Sequence, residues 1–393
     1  MDELGRLLAL SAGERVERGL VHTPSEIRQQ PSTWRLTYEM VSAAAGGVRE
    51  FLARAGLPAG EGARPSVYLV GAGTSDYIGR ALASLLRREW RCEVQAVPST
   101  DLLTEMDDYL IPGRAYLWVS FSRSGDSSEG VAVIEAALER HPSVHHLIVT
   151  CNGAGRMARE FGGRENVRLL VLDGAVNDRG LAMTSSFSNM VVAGQCLAHV
   201  NDLSPYGRVV EELAARAEGF LGAAADAAAG LAAGRFNKFC FLGTGALRAV
   251  AVESALKVVE LTAGRVYTWS ESFLGVRHGP LSAVDAETLV FGFLSNEERR
   301  RAYELDLLRE VKGKGLAGRT VVVWPGQEPQ SGKFDTSLSL GLGQRFDDLY
   351  RPPLDVIFGQ LLGLFSSLRQ GLKPDTPSPE GAISRVVAGV QIH

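Results

Sequence analysis

The sequence has little of the material from which metal centres and disulfide scaffolds are built. It contains four cysteines and seven histidines in 393 residues, and no two cysteines are spaced as Cys-x-x-Cys. The cysteines lie far apart, mostly in apolar stretches, which is typical of free buried thiols in a reducing compartment. His141 and His145 have i, i+4 spacing, but Pro142 interrupts the helix that this spacing would need. The sequence therefore predicts neither a structural nor a catalytic metal.

Long hydrophobic runs and an excess of positive charge are also lacking. No apolar run approaches the roughly 20 residues that span a bilayer. The N-terminus, Met-Asp-Glu-Leu, carries acids at once and lacks the hydrophobic region of a signal peptide. The net charge of −4 leaves no basic footprint for nucleic acid. These absences predict a cytoplasmic protein without membrane or nucleic-acid partners.

A polar loop rich in serine stands between a predicted strand and a predicted helix. The apolar run that begins at Tyr116 predicts a buried strand, and the stretch from Glu129 to Arg140 has helical periodicity. Between them, five serines surround Gly125, namely Ser120, Ser122, Ser124, Ser127 and Ser128. A helix N-terminus offers unpaired N–H groups and a positive dipole end, hydroxyls add donors, and glycine allows close approach. The pattern favours a phosphate site; the competing interpretation is that Asp126 or Ser127 merely caps the helix.

Strands alternate with helical stretches twice along the chain. The first series starts with Ser66-Val-Tyr-Leu-Val and Gly71-Ala-Gly-Thr-Ser, and the second with Lys238-Phe-Cys-Phe-Leu and Gly243-Thr-Gly. Such alternation is typical of a parallel sheet with helices on both faces, and its repetition predicts two similar α/β domains. The predicted segments are an N-terminal helical segment (1–60), a first domain (61–202), a connecting helix (203–235), a second domain (236–370) and a C-terminal tail (371–393).

The internal repeat breaks down at the serine loop. Where the first half has Ser122-Arg-Ser-Gly-Asp-Ser, the second half has Ser295-Asn-Glu-Glu-Arg, which offers two acids and no glycine. Carboxylates at that place repel an anion. The sequence therefore predicts one phosphate site per chain, in the first half, and a different contribution from the second half.

Charged residues of the second half suggest acid–base chemistry. Glu253, Lys257 and Glu260 share one face of a predicted helix, an arrangement that is most often a solvated ion pair. Their neighbours are apolar nearly all round, which predicts a buried helix, and a buried charged face is costly unless it is paired or used. His278 follows in a loop marked by glycines and a proline. A lone histidine is usually structural, but its pKa near neutrality also suits proton transfer.

A phosphate anchor, a carboxylate, a lysine and a histidine together predict chemistry on a small phosphorylated sugar. In this interpretation His278 moves a proton between the ring oxygen and solvent and so opens the ring. A carboxylate of the predicted helix takes the C–H proton next to the carbonyl and returns it to the neighbouring carbon. Lys257 stabilises the developing negative charge. No cofactor is required.

A dinucleotide site is the alternative that the glycines after the first strand leave open. Gly71-x-Gly is followed by Asp76 where the third glycine of the usual fingerprint should be. Glu93 lies about twenty residues further on, as a ribose-binding acid would. The fingerprint is therefore partial, and no Walker A sequence accompanies it.

Two loop motifs, Gly-x-Gly-Thr-Ser after the first strand and Ser-x-Ser-Gly-Asp-Ser after the third, resemble the sugar isomerase (SIS) fold. The resemblance covers nearly the whole chain as a tandem pair and implies two domains, each a three-layer α-β-α sandwich. Five further stretches resemble the tagatose-6-phosphate ketose/aldose isomerase (AgaS-like) family, which is also assigned galactosamine-6-phosphate deaminase activity. They are Glu26-Ile-Arg-Gln-Gln-Pro, Asn177-Asp-Arg through Ala182-Met-Thr-Ser-Ser-Phe, Glu253-Ser-Ala-Leu-Lys-Val-Val-Glu-Leu-Thr-Ala-Gly, Gly275-Val-Arg-His-Gly-Pro and Pro374-Asp-Thr-Pro-Ser-Pro.

The isomerase half of glucosamine-6-phosphate synthase is similar at the same places. That resemblance implies a catalytic lysine at Lys257, a proton-transferring glutamate at Glu260 and a ring-opening histidine at His278. In that family the histidine comes from the neighbouring subunit, which implies a homodimer with a shared site. The implied phosphate-binding residues are Ser75, Ser122, Arg123, Ser124 and Ser127, and weaker candidates for substrate binding are Thr74 and Arg385.

Two differences from the synthase matter. Its glutaminase domain and N-terminal cysteine are absent here, so glutamine-driven synthesis is not expected. Its C-terminal active-site lysine has no counterpart, and Arg385 is the nearest basic residue in a comparable place.

The resemblance implies an amino-sugar phosphate isomerase/deaminase. Its substrate would be a 2-amino-2-deoxyhexose 6-phosphate, galactosamine 6-phosphate first, and its products tagatose 6-phosphate and ammonia. One alternative is a plain aldose/ketose phosphate isomerase, which would use the same residues without the amine. Another is a non-catalytic phosphosugar sensor, because this fold also serves regulators. The presence of both Glu260 and His278 favours an enzyme.

Overall fold

The chain forms two parallel β-sheets, each flanked by helices. The structure, a computed structural model, describes residues 1–57, 64–326, 334–387 and 390–393. Four helices come first, α1 (Glu3–Leu8), α2 (Ala12–Arg18), α3 (Thr23–Arg28) and α4 (Gln30–Arg54). The predicted domain boundary between residues 60 and 61 lies outside the described residues.

The first sheet has the strand order β2-β1-β3-β4-β5, and all of its strand pairs are parallel. Its strands and helices are β1 (Ser66–Gly71), α5 (Thr74–Trp90), β2 (Val94–Pro98), α6 (Ser99–Tyr109), β3 (Tyr116–Ser122), α7 (Ser128–Arg140), β4 (His145–Thr150), α8 (Arg156–Phe161) and β5 (Val167–Val171), followed by the helices α9 (Ser185–Ala198) and α10 (Ser204–Ala232). Helix α5 packs against α9, and α6 packs against α7. This pairing fits right-handed crossovers that run in opposite directions from β1 and so put helices on both faces.

The second sheet repeats this topology. Its elements are β6 (Lys238–Gly243), α11 (Ala246–Leu261), β7 (Tyr267–Ser272), β8 (Thr288–Phe293), α12 (Glu298–Gly313), β9 (Arg319–Trp324), β10 (Thr336–Ser339) and α13 (Pro352–Arg369). The order β7-β6-β8-β9-β10 is that of the first sheet with each strand replaced by its repeat, and every pair is parallel. The predicted fold class, two tandem α/β domains, is confirmed. The sequence analysis did not identify β7 or β10, although the aromatic and β-branched run Val266-Tyr-Thr-Trp is a strand signal.

The described chain divides into two compact units. The first-sheet unit comprises Ser32–Asp178, Ser185–Glu211 and Ser384–His393, and the second-sheet unit comprises Met1–Pro31, Arg179–Thr184 and Glu212–Ile383. The last ten residues of the chain therefore belong with the first sheet, whereas the N-terminal helices α1 to α3 belong with the second. This grouping does not follow chain order, so long-range contacts decide it.

The start of α3 shows such a contact within the second-sheet unit. The sequence Thr23-Pro-Ser-Glu suggests local capping, yet the side chain of the N-cap residue, His22, forms no capping hydrogen bond. Instead, the buried Asp375 carboxylate accepts hydrogen bonds from the N–H groups of Val21 (2.7 Å), His22 (3.0 Å) and Thr23 (2.8 Å), and from the Thr23 hydroxyl (2.8 Å). A carboxylate at a helix N-terminus satisfies exposed donors and opposes the helix dipole. The Pro374-Asp-Thr-Pro motif therefore has a structural role.

Candidate functional site

The serine loop lies at the point of the first sheet where the strand order reverses. Strands β1 and β3 are parallel neighbours, with Val70 paired to Ser120, while β2 lies on the other side of β1. The carboxyl ends of β1 and β3 therefore meet at one edge, each followed by the start of a helix. In open α/β sheets, ligands bind in the crevice that forms at this switch point.

The loop after β3 is buried and rich in donors. Ser122, Arg123 and Ser124 are buried, and Gly125 has a φ of +66° that favours glycine. The Gly125 N–H donates to Ser122 Oγ (3.1 Å), and the Asp126 N–H donates to Ser124 Oγ (3.2 Å). Because each hydroxyl accepts in these bonds, its own hydrogen remains to be donated. A buried guanidinium and two such hydroxyls can bind an anion.

Neither Asp126 nor Ser127 caps α7. Ser127 occupies the N-cap position without a side-chain hydrogen bond to the helix. The Asp126 carboxylate instead accepts the N–H of Arg156 at 2.8 Å, next to the start of α8. The simple capping interpretation of this loop is therefore wrong, and the serine-rich sequence needs another explanation.

The first turn of α5 contributes two more hydroxyls to the same sheet edge. Thr74 and Ser75 are the first residues of α5, and both are buried. Gly73 precedes them with a φ of +55° and provides no side-chain cap. The site residues predicted in the first half thus lie at or just after the ends of two neighbouring strands.

The corresponding loop of the second-sheet unit is saturated by its own carboxylates. The Ser295 N–H donates to Glu304 (2.7 Å), and the Asn296 N–H donates to Asp348 (2.8 Å). Glu297 caps α12 by accepting from the N–H groups of Arg299 (2.9 Å) and Arg300 (2.8 Å). Internal carboxyl groups therefore hold the donors that a phosphate would need. This geometry supports the prediction of one anion site per chain.

Helix α11 carries a buried lysine between two carboxylates. Lys257 and Glu253 are fully buried, whereas the Glu260 side chain keeps 22% of its surface exposed. Lys257 Nζ lies 3.3 Å from Glu253 Oε1 and 2.5 Å from Glu260 Oε2. Burial opposes the charge on Lys257, but the two carboxylates outweigh it and raise the pKa of the lysine above its ordinary value. The lysine therefore stays protonated, and the solvated ion pair considered for this helix is excluded.

The burial of α11 follows from its close approach to α13. A Cβ at Gly359 would lie 2.1 Å from Ser254 Oγ, and one at Gly363 would lie 2.9 Å from the Lys257 carbonyl oxygen. Only glycine at these positions lets the two helices meet. The packing encloses the Glu253–Lys257 face and leaves Glu260 at its accessible end.

His278 is exposed and stands on an anchored loop. Its neighbours Phe273 and Val276 are buried in the core of the second-sheet unit, and Arg277 pairs with Glu310 at 2.8 Å. In the described part of the chain, the His278 imidazole makes no hydrogen bond, and only its backbone N–H is paired, to Gly275 (2.9 Å). The structure therefore brings Lys257 and Glu260 together but does not join His278 to either.

Arg385 lies in the first-sheet unit, against the serine loop. Its guanidinium donates to the Asp178 carbonyl (2.7 Å) and to Asn177 Oδ1 (2.6 Å), and its carbonyl accepts from the Arg123 guanidinium. Sequence reasoning named Arg385 but gave no reason for the Asn177-Asp motif, which holds it. Across the described residues, no group of three or more histidine, cysteine or acidic side chains could hold a metal ion.

Known proteins share this architecture and sequence. The SIS domain family model matches residues 62–200. The AgaS protein of Streptomyces coelicolor is 39% identical over 384 residues, which cover 96% of this chain and 97% of that protein. The D-galactosamine-6-phosphate deaminase AgaS of Escherichia coli is 36% identical over 372 residues, or 94% and 95% of the two chains. The crystal structure of tagatose-6-phosphate ketose/aldose isomerase from Escherichia coli superposes with a TM-score of 0.83 at 33% identity, over 94% of this chain and 96% of that one. The chain therefore belongs to the AgaS family of SIS-domain proteins.

Proposed function

We propose that the protein is an amino-sugar phosphate isomerase/deaminase that converts galactosamine 6-phosphate and water into tagatose 6-phosphate and ammonia. The observation that carries this proposal is the similarity, over nearly the whole length, to a relative named D-galactosamine-6-phosphate deaminase. The Lys257–Glu260 pair supports it, because a carboxylate held beside a buried ammonium suits proton transfer next to a carbonyl.

In the proposed mechanism each group has one task. The hydroxyls and guanidinium of the serine loop bind the 6-phosphate, and His278 moves a proton to or from the ring oxygen so that the ring opens. Glu260 removes the C2 proton and returns a proton to C1, while the C2 amine loses a proton and the C1 oxygen gains one, which leaves an imine at C2 and a hydroxyl at C1. Water then adds to the imine and ammonia leaves, so that C2 becomes the ketone of the product. Lys257, which is held protonated, stabilises negative charge as it develops and is not itself a base or nucleophile.

The direct test is product release from purified protein. We expect ammonia and a ketose phosphate from galactosamine 6-phosphate, with glucosamine 6-phosphate and tagatose 6-phosphate assayed alongside. Interconversion of tagatose 6-phosphate with an aldose phosphate, without any ammonia, would instead establish a plain isomerase, the activity named for the Escherichia coli structural relative. Binding of phosphosugars without turnover of any of the three would contradict both and favour a sensor.

Ser124→Ala is expected to weaken the binding of phosphorylated ligands selectively. Removing one hydroxyl donor to a phosphate costs about 1.5–3 kcal/mol, because hydrogen bonds to charged groups are the stronger class. The dissociation constant of a sugar phosphate should therefore rise about 10- to 100-fold in calorimetry. Affinity for the unphosphorylated sugar should not change, and Ser143→Ala provides a hydroxyl-deletion control at an exposed position outside the loop and the C-terminal tail. Equal losses for both kinds of ligand would contradict the phosphate assignment.

We also propose a homodimer in which each site takes His278 from the partner chain. Strand β7 is an edge of its sheet; Tyr267, its first residue, and Leu274, just after its end, are 60% and 47% exposed. An uncovered strand edge with large apolar side chains is a typical contact surface. His278 belongs to the same exposed segment.

Subunit complementation tests the shared site. Glu260→Gln and His278→Ala proteins should each be nearly inactive alone. When the two proteins are coexpressed, about a quarter of the wild-type activity should return. Random pairing makes half of the dimers mixed, and one of the two sites in each mixed dimer is intact. Absence of regain in mixed dimers that are shown to form would place His278 in its own chain's site.

The proposed compartment is the cytoplasm. All four cysteines are free, as expected in a reducing environment. In the described part of the chain, no helix is long and apolar enough to cross a membrane. Recovery of the native protein in a non-cytoplasmic fraction would contradict this assignment.

A further inference from the structure

The C-terminal tail touches the serine loop through its own carbonyl oxygens. The Arg123 guanidinium donates to the Arg385 carbonyl, and the Ser128 N–H donates to the Val387 carbonyl at 3.4 Å. Arg123 belongs to the serine loop, and Ser128 begins α7. All of these residues belong to the first-sheet unit. Two donors at the candidate phosphate site are therefore engaged by the chain itself.

These two donors, a buried guanidinium and a backbone N–H at a helix N-terminus, are groups that typically bind anions. Arg123 is only 7% exposed, and a buried guanidinium requires acceptors. The Ser128 N–H lies in the first turn of α7, where the N–H groups have no partner within the helix. A carbonyl oxygen carries a partial negative charge, so it can stand in for a phosphate oxygen at both donors. It binds them less strongly, because charge-assisted hydrogen bonds are the stronger class.

The tail is held in place by contacts of its own. The Arg385 guanidinium is bound to the Asp178 carbonyl (2.7 Å) and Asn177 Oδ1 (2.6 Å), and the Ser384 hydroxyl donates to the Val386 carbonyl (2.8 Å). Both acceptors of the guanidinium are neutral oxygens. The attachment is specific in geometry but lacks the strength of a buried ion pair, so it can be released.

We propose that residues 384–387, here called the strap, are an internal occupant of the phosphate site, and that the substrate's phosphate displaces their carbonyls from Arg123 and the start of α7. The inference rests on the proposed phosphate site and adds a competing state to it. Because the strap occupies the site in some of the molecules, the apparent affinity for phosphate is lower than the intrinsic affinity. It is reduced in proportion to the fraction of molecules whose site is open. Ligand binding in turn shifts the population toward the released strap.

Trypsin offers a direct readout, because the strap contains the Arg385–Val386 bond. Cleavage of a segment that opens transiently follows the population of its open form. Inorganic phosphate should therefore accelerate release of the C-terminal peptide from the full-length protein about three- to tenfold, relative to chloride at equal ionic strength. Mass spectrometry follows the peptide. The Ser124→Ala protein, whose phosphate binding is impaired, should show little acceleration.

Each outcome of this experiment decides something. Slower cleavage with phosphate would mean that the tail closes over the ligand, and unchanged cleavage with phosphate bound would mean that the two do not meet; either overturns the proposal. No binding of inorganic phosphate in calorimetry, together with no binding of a sugar phosphate, would overturn the phosphate site itself. The failure of the strap and the failure of the proposed function are thereby distinguished.

Loosening the strap provides a second measurement. Arg385→Ala removes the attachment to Asn177 and Asp178 and should tighten the binding of inorganic phosphate about three- to tenfold, the size of one or two modest hydrogen bonds lost by the competing state. Ile392→Ala, an exposed position in the same tail, is the matched control and should leave binding unchanged. Weaker binding in Arg385→Ala would overturn the strap and make Arg385 a substrate-binding residue.

Discussion

Glu260→Gln is expected to lower kcat about 10²- to 10⁴-fold, the usual contribution of a positioned acid or base. The amide keeps the shape of the side chain and can still lie beside Lys257, but it cannot take the C2 proton. Exchange of that proton with solvent should stop, whereas affinity for the phosphorylated substrate should be nearly unchanged. NMR in deuterated water measures the exchange, and calorimetry measures the affinity.

A matched control for this variant is Glu287→Gln, which changes an exposed glutamate of the same unit. Its proton exchange should equal that of the unmodified protein. Unchanged exchange in Glu260→Gln would remove this residue from the mechanism. A loss of folding would be recognised by the thermal unfolding midpoint, which the substitution should leave within a few degrees because Glu260 is partly solvated.

Lys257→Met is expected to lower the free energy of unfolding by about 3–5 kcal/mol, since it removes one partner of a buried ion pair. The fully buried Glu253 carboxylate, 3.3 Å from the lysine, would lose that charge partner. Urea unfolding at neutral pH measures the loss. Combining Lys257→Met with Glu253→Gln should restore much of the stability but none of the activity, because charge stabilisation by the lysine is still missing. This separation distinguishes a catalytic lysine from a structural one.

The control for this prediction is Lys314→Met. Lys314 pairs with Glu310 at 2.7 Å, but its side chain is 60% exposed, so its loss should cost less than about 1 kcal/mol. An equal effect of the two substitutions would contradict the buried-pair account.

The raised pKa of Lys257 also gives the sign of a pH effect. The lysine's contribution to stability is complete below its unfolded value of 10.5 and is lost as the pH rises through its higher folded value. As the pH rises from neutrality, the difference in unfolding free energy between the wild type and Lys257→Met should therefore shrink only at strongly alkaline pH. A decrease between pH 6 and 9 would show that the lysine is not held protonated.

Much of the fold was readable because its signals are local. The two series of strands and helices, with their glycine turns, predicted tandem parallel sheets, and the strand order confirms the repeat. The sequence analysis missed the two edge strands of the second sheet: β10 has only four residues, and β7 and β10 each pair on one side only, with β6 and β9. Edge strands carry weak patterns, because one side of them has no neighbour to impose burial.

In the candidate site too, the sequence predicted the features that are local and missed those that depend on distant segments. The serine loop and the Glu253–Lys257–Glu260 spacing could be read directly, since each lies within one loop or one helix face. The spacing alone, however, did not distinguish a solvated ion pair from a buried one. Two glycines of α13, about a hundred residues away, settle that question by letting the helices meet.

The sequence by itself determined the repeated α/β pattern, the single intact serine loop and the positions of its charged groups. The tertiary structure decided which of these groups are buried and which residues form hydrogen bonds and ion pairs with them. Asp375 caps a helix more than 350 residues earlier in the chain. Asp348 accepts a backbone N–H in the loop after β8, and Arg385 donates to the Asp178 carbonyl in the first-sheet unit. Local periodicity reports only the faces of single elements. Hydrogen bonds between distant segments exist only once the fold has brought those segments together.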